Sequence, residues 1–451
     1  MTTPTEPIIF RVVDDFGRTT MRLLVCWVLL LALPSVASAS EADIRWDRWG
    51  VPHVRGTDAR ATAHGFGWAQ MRQHGDLLLR LYGEARGRAA EYWGEGRFED
   101  DLLIRRMGIP AQAAASLRAL PPTDRALLEA FADGMNAWAE AHPDALDPSN
   151  AVVLPIRGED VLAYLLSSLH LNFVARRQVV AAGAPGALEP APGSNAWAIG
   201  PARSASGNAL LLANPHLMWA GNHLFFEAQL TTDESNAYGV AILGWPFLAI
   251  AFNDHLGWTH TVNTHDGADL YALRLDDAGR YAFGDDALEL ERRTETLAVR
   301  RADGSVEQRE IVIERSVHGP VIARGEGRAL ALRVAGLEDA DRHAIVGQYW
   351  ALARSRSLAD FEAAMARLQM PMFNTVYADR SGNVFYLFNA LQPVRSQRAG
   401  TDWSGIVDGS DPALLWTDYH RYEDLPRFAN PPGHFVQNAN DPPWTSTRPP
   451  V

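Results

Sequence analysis

The run Gly193-Ser194-Asn195-Ala196-Trp197-Ala198-Ile199-Gly200 constrains this chain more than any other stretch. Its alternation is strand-like, and the serine that opens it directly follows a glycine. If the chain broke before that serine, the hydroxyl would be a nucleophile and the freed α-amino group its base. Such an amine has a pKa of about 7.7–8.0, so near neutrality it can take the hydroxyl proton, directly or through a water. A preceding glycine suits the strained backbone that attack on the serine's own upstream carbonyl demands. Upstream, residues 174–193 (VARRQVVAAGAPGALEPAPG) are rich in Ala, Gly and Pro and lack periodicity. That composition suits a surface linker, whether it is later excised or simply joins two domains.

The chain of 451 residues, 47% hydrophobic with 14 Trp, is long enough for a sizeable core or for two or three domains. A net charge of −13 argues against nucleic acid, because a phosphate-tracking surface needs basic clusters. All 41 basic residues are arginine. Schiff-base chemistry, a lysine general base and a Walker-type phosphate loop are thereby excluded.

Residues 1–39 read as an export signal, with Arg22 as the basic flank, an apolar run from Leu23 to Leu33, and Ala37-Ser38-Ala39 as a small-residue cleavage site. The apolar run is shorter than the roughly 20 residues a membrane span needs. The one cysteine, Cys26, lies inside this segment, so the mature chain would have no thiol chemistry and no disulfide.

Residues 41–56 alternate as a strand pair turning at Gly50-Val51-Pro52. From Arg60 to about Arg106 apolar residues recur at helical spacing, and helices are expected again over 126–141 and 159–173. Beyond Ser194 short apolar runs dominate: strands over 209–213, 238–243, 247–252 and 310–314, a hairpin from 374–378 to 384–388, and a helix over 358–368. Helices followed by a strand-rich half suit an α+β fold.

The block GSNAWAIGPARSASGNALLLANPHLMW resembles the start of the catalytic β chain in the penicillin acylase family of N-terminal-nucleophile hydrolases, and looks closest to the acyl-homoserine lactone acylase branch. GVPHVRGTDARATAHGFGWAQMRQHGDLLLRLYGEARGRAAEYWG resembles that family's α-chain opening. The likeness covers nearly all of residues 41–444, including SVHGPVI from Ser316 and MPMFNTVYADRSGNVFY. It implies a four-layer αββα sandwich. It also implies a division into a signal (1–39), a mainly helical α-chain portion (40–173), an excised spacer (174–193) and a β-chain portion (194–451). Family members continue far beyond Asn440, whereas this chain ends 11 residues later, so the resemblance implies an incomplete β chain.

The resemblance also implies roles. Ser194 cuts the chain after Gly193 and then forms an acyl-serine with a substrate amide. His216, in Asn214-Pro215-His216, orients the nucleophilic centre. The Val262 backbone N–H and the Asn440 side chain stabilise the oxyanion, with Asn438 as an alternative to Asn440. Phe173, Leu217 and Trp219 fall at or near the acyl pocket. Asp266 and Asp269 resemble two calcium ligands, although no glutamate near Phe173 completes the set; no cofactor is required for catalysis. His255, His260 and His265 are spaced by five, which gives no single face and no usual zinc pattern.

The function implied is an exported, periplasmic or secreted, self-processing amidohydrolase acting on N-acyl-homoserine lactones. Its partners would be the small acyl amide and the two chains of one precursor, with no nucleic acid and no stable membrane span. A penicillin- or cephalosporin-type acylase is the alternative. An inactive remnant or binding module is the alternative of another class.

Overall fold

The computed structural model describes residues 42–183, 193–398 and 400–449. The expected export signal with Cys26, and the part of the expected spacer from 184 to 192, lie outside the described residues. Within residues 174–183, expected as linker, Arg176–Ala181 is helical. Val179 is buried there while Val180 is exposed, so one apolar side chain of RRQVV finds a core that the composition did not announce.

A layer of helices covers one face of a nine-stranded sheet. Ala59–Ala85 starts at Asp58, whose carboxylate accepts from the Ala61 N–H at 2.7 Å. It packs against Pro122–Ala141 at a crossing made by two glycines: a β-carbon on Gly67 would overlap the Phe131 carbonyl, and one on Gly134 the His64 carbonyl. The helix Gly158–Leu166 continues as a π-helix, Ser167–Val174, rather than as the single α-helix expected. Ala175 N–H there reaches the carbonyl of His170, five residues back, at 2.8 Å.

The large sheet runs Ala42–Trp46, Pro52–Gly56, Phe225–Thr231, Asn236–Ile242, Ile250–Phe252, Leu256–Thr261, Asn374–Asp379, Val384–Phe388, Arg427–Ala429. The opening hairpin pairs Trp46 with Pro52 around Gly50, which has φ +82°. On the other face lies a second sheet of three strands in the order Phe435–Asn438, Gly193–Ile199, Leu210–His216. Alternation in the middle strand turns Ser194, Ala196 and Ala198 inward. Ala196, Ala198 and Val436 pack there against Val376, Val384 and Tyr386 of the large sheet.

The fold is α+β, and the described residues build three of the four expected layers, α–β–β. The outer face of the three-stranded sheet is open, with Trp197, Leu210 and Leu212 exposed. A six-stranded sheet, Glu291–Arg300, Val306–Ser316, Gly319–Gly325, Arg328–Val334, Ala268–Arg274, Ile406–Asp408, carries its own core around Tyr271, Tyr281 and Val321. Among the described residues no helix is long and apolar enough to cross a membrane.

Candidate active site

Strand pairing brings the expected residues together. In the antiparallel pair Gly193–Ile199 with Leu210–His216, Gly193 lies opposite His216 and Ser194 opposite Pro215. On the other side, Asn438 pairs with Ala196, so the turn after it returns over Ser194. Ser194 is buried, and its N–H donates to Oδ1 of Asn440 at 2.6 Å. Its hydroxyl donates to the Gly193 carbonyl oxygen at 2.7 Å, at the carbonyl it would have to attack. Nδ2 of Asn440 donates to the Val262 carbonyl at 2.6 Å. That amide keeps a second N–H, and one oxyanion donor can be supplied from it.

Asn440 sits at φ +69°, a left-handed conformation that asparagine tolerates better than most residues. Asn438 holds it there: its Oδ1 accepts from Asn440 N–H at 2.8 Å, Thr261 Oγ1 at 2.6 Å and Asn374 Nδ2 at 2.9 Å. Its own Nδ2 donates to the Asp441 carbonyl at 3.0 Å. The two asparagines that sequence left open are therefore separated. Asn440 reaches the serine, while Asn438 is wholly buried and consumed by the strands beneath.

His216 is exposed, and its Nε2 lies 3.0 Å from Asn195 Nδ2, which donates to it. A β-carbon on Gly193 would lie 3.4 Å from His216 Nδ1 and 3.4 Å from Asn440 Oδ1, so both side chains border the Gly193–Ser194 bond. Asn195 is a site residue that sequence reasoning missed; its place beside the serine was the available signal.

Ser194 opens onto a small, mostly apolar pocket between the helical layer and the large sheet. Phe173 and Leu217 line it, as expected, and Val262 forms part of the wall. Trp219 does not: it is 95% exposed and lies outside the cavity. The walls that sequence did not single out are Phe225, Trp245, Met370 and Phe373. Phe173 projects from the π-helix and meets Phe373 edge-on, with ring centroids 5.0 Å apart.

Phe373 has φ +105°, a conformation costly for a bulky residue. Asn389 holds it: its N–H donates to the Phe373 carbonyl at 3.2 Å, and its Nδ2 to the Met370 and Met372 carbonyls at 2.9 and 3.2 Å. His260 closes the cavity's polar corner. Burial pushes its pKa down to about 4, so it is neutral near pH 7, with Nε2 on Tyr349 OH at 2.8 Å.

Asp266 and Asp269 do meet a cation, but it belongs to the chain. Arg395 Nη1 lies 3.0 Å from Asp266 Oδ2, and its Nε and Nη2 lie 3.0 and 2.9 Å from Asp269 Oδ2. Calcium takes six to eight oxygen ligands. Among the described residues no group of three or more His, Cys, Asp or Glu side chains could hold a metal, and the guanidinium stands where the two carboxylates converge. Of the three spaced histidines, His260 bonds Tyr349 and His265 bonds Gln392.

The sequence profile of the penicillin amidase family matches residues 41–450, and the chain belongs to that family. It is 32% identical to the acyl-homoserine lactone acylase PvdQ of Pseudomonas putida, over 92% of this chain and 60% of that one. It is 26% identical to penicillin acylase 2 proenzyme of a Pseudomonas species, over 91% of this chain and 59% of that one. Among solved structures, the thermostable penicillin G acylase of Alcaligenes faecalis superposes with a TM-score of 0.50 at 24% identity, over 57% of this chain and 46% of that one. That likeness shows the fold. The chain spans about 60% of the length of the curated relatives it matches.

Proposed function

We propose that this chain is an exported amidohydrolase that first cuts itself between Gly193 and Ser194 and then cleaves N-acyl-homoserine lactones at the amide. The observation that carries the reading is the placement of Ser194: hydroxyl on the Gly193 carbonyl, backbone N–H on Asn440, and a small apolar pocket before it. Self-cleavage begins when Oγ adds to the Gly193 carbonyl carbon. The C–N bond breaks, the Ser194 nitrogen takes a proton to become an amine, and water hydrolyses the remaining ester. On a substrate amide the same oxygen attacks, the amine assists by accepting its proton and passing it to the leaving nitrogen, and water releases the acid. The negative oxygen of each tetrahedral intermediate needs donors fixed beforehand, the role given to Val262 N–H and Asn440.

The acyl-homoserine lactone reading draws on the name of the Pseudomonas putida relative and on walls that are apolar and aromatic, which suit an aliphatic chain at about 0.8 kcal/mol per buried methylene. Product analysis by mass spectrometry tests it: free fatty acid with intact homoserine lactone is expected, and turnover confined to phenylacetyl amides overturns it in favour of a penicillin-type acylase.

A further inference from the structure

We propose that Arg395 is the resident cation of the Asp266–Asp269 pair, a guanidinium permanently filling the place a divalent metal would take, so that this part of the fold needs no calcium. Two carboxylates three residues apart at the start of the strand Ala268–Arg274 would otherwise bring two negative charges into a largely buried corner. Such charges are tolerated only when paired and hydrogen-bonded.

The pairing is built in detail. The Asp269 side chain is fully buried; its Oδ2 collects Arg395 Nε at 3.0 Å and the indole N–H of Trp416 at 2.6 Å, while its Oδ1 and Arg395 Nη2 make no hydrogen bond among the described residues. Asp266 is about one-third exposed and takes Nη1 of the same guanidinium. The Arg395 side chain is 11% exposed and lies over the Trp403 ring at 5.2 Å. A rigid planar fork with an aromatic face beneath it is a geometry that arginine, and not lysine, satisfies.

Charge points the same way. Arg177, on the helix Arg176–Ala181, adds a second attraction to Asp266. Two negative charges thus face two positive ones, and little net field is left to draw in a divalent ion. The neighbouring Gln178 donates from Nε2 to the Ala268 carbonyl at 2.7 Å, so one backbone oxygen beside the pair is also occupied. The cluster joins four segments: the helix before the linker, the strand from Ala268, the loop holding Arg395 and the loop holding Trp416. In a metal-built version an ion from solvent would join them; here the joint is made when the chain folds.

Thermal unfolding of the full chain tests this without reference to activity. The wild type should melt at the same temperature, within about 1 °C, in EDTA and in millimolar calcium chloride, whereas excess ion over a genuine site raises it by a few degrees. Arg395→Met should lower the melting temperature by roughly 5 °C or more, because it strands two carboxylates. Adding Asp266→Asn and Asp269→Asn to that variant should recover most of the loss, since the unpaired charge is then gone. A saturable rise of the wild-type melting temperature with calcium overturns the proposal, and so does an Arg395→Met chain as stable as wild type. If the single variant does not accumulate as folded protein, the triple variant and the wild-type calcium titration still decide.

Discussion

The backbone N–H of Ser194 donates to Oδ1 of Asn440, 246 residues along the chain, at 2.6 Å. This fixes the bond proposed to be cut against the residue proposed to stabilise its oxyanion. Ser194→Ala should leave one uncut precursor by intact mass. Asn440→Ala should slow scission about 100-fold or more, the expected loss of one oxyanion donor. Asn440→Gly separates side chain from backbone: glycine accepts φ +69° freely, so equal slowing in both variants assigns the effect to the amide.

Asn438 should behave as a positioning residue. Asn438→Ala removes the acceptor for Thr261, Asn374 and the Asn440 N–H together. Buried groups left without partners cost about 1–3 kcal/mol each. Denaturant unfolding should show a loss of that order, and scission should slow although Ser194 and Asn440 are intact. The milder Thr261→Val, which leaves two of the three donors, should fall between it and wild type in both measurements.

Leu217 and Phe373 should set acyl length. Leu217→Phe narrows the cavity and should shift preference toward shorter chains; Phe373→Ala should do the reverse. Two methylenes gained or lost from apolar contact amount to about 1.6 kcal/mol, roughly fifteen-fold in kcat/KM. Profiles of kcat/KM against acyl length for each variant, with wild type beside them, check this; parallel profiles would remove these residues from the pocket wall.

Stability should fall in mild acid. Burial pushes His170, His260 and His318 down to about 3, 4 and 4. The unfolded chain therefore takes up protons that the folded one refuses once the pH drops below about 6.5, and the stability present above that pH is lost toward pH 4. Asp101 and Asp269, raised to about 6 by burial, act oppositely between about pH 4 and 6 and offset part of the effect. A net fall in melting temperature of several degrees between about pH 7 and pH 4.5 is expected by calorimetry, with Asp101→Asn making the fall steeper.

Periodicity made the helical half legible, as it did the hairpin around Asp379–Asn383, because Asn374–Asp379 and Val384–Phe388 are buried throughout and their turn is marked by Gly382 at φ +92°. It failed where burial does not follow period. Residues 247–252 look like a strand, yet only Ile250–Phe252 pairs, because Trp245, Phe247 and Leu248 are buried in the preceding turn. The strand expected over 310–314 lies in Val306–Ser316, but its hairpin partner Glu291–Arg300 hid behind largely exposed, charged residues. At the site, Ser194, His216, Val262 and Asn440 were legible through order along a family-like sequence. Phe373 was not, nor was the supporting role of Asn438, named only as an alternative to Asn440, since a strained φ and a three-donor amide are properties of tertiary position. The same holds for Arg395, whose partners lie more than a hundred residues away.

Gly193 opens the central strand of its sheet, and the proposed break at its carboxyl side would treat the two new ends unequally. The amine end begins a strand paired on both sides, with the Leu210–His216 strand and with Phe435–Asn438, and stays anchored at Asn440. The carboxylate end would keep only the single pairing of Gly193 with His216. One covalent link fewer, together with an ionised carboxylate free to leave for water, would carry the reaction forward. Maturation of this kind needs no energy source and has no ready return path: the fold would hold the nucleophile still while the new carboxylate is no longer bound to it.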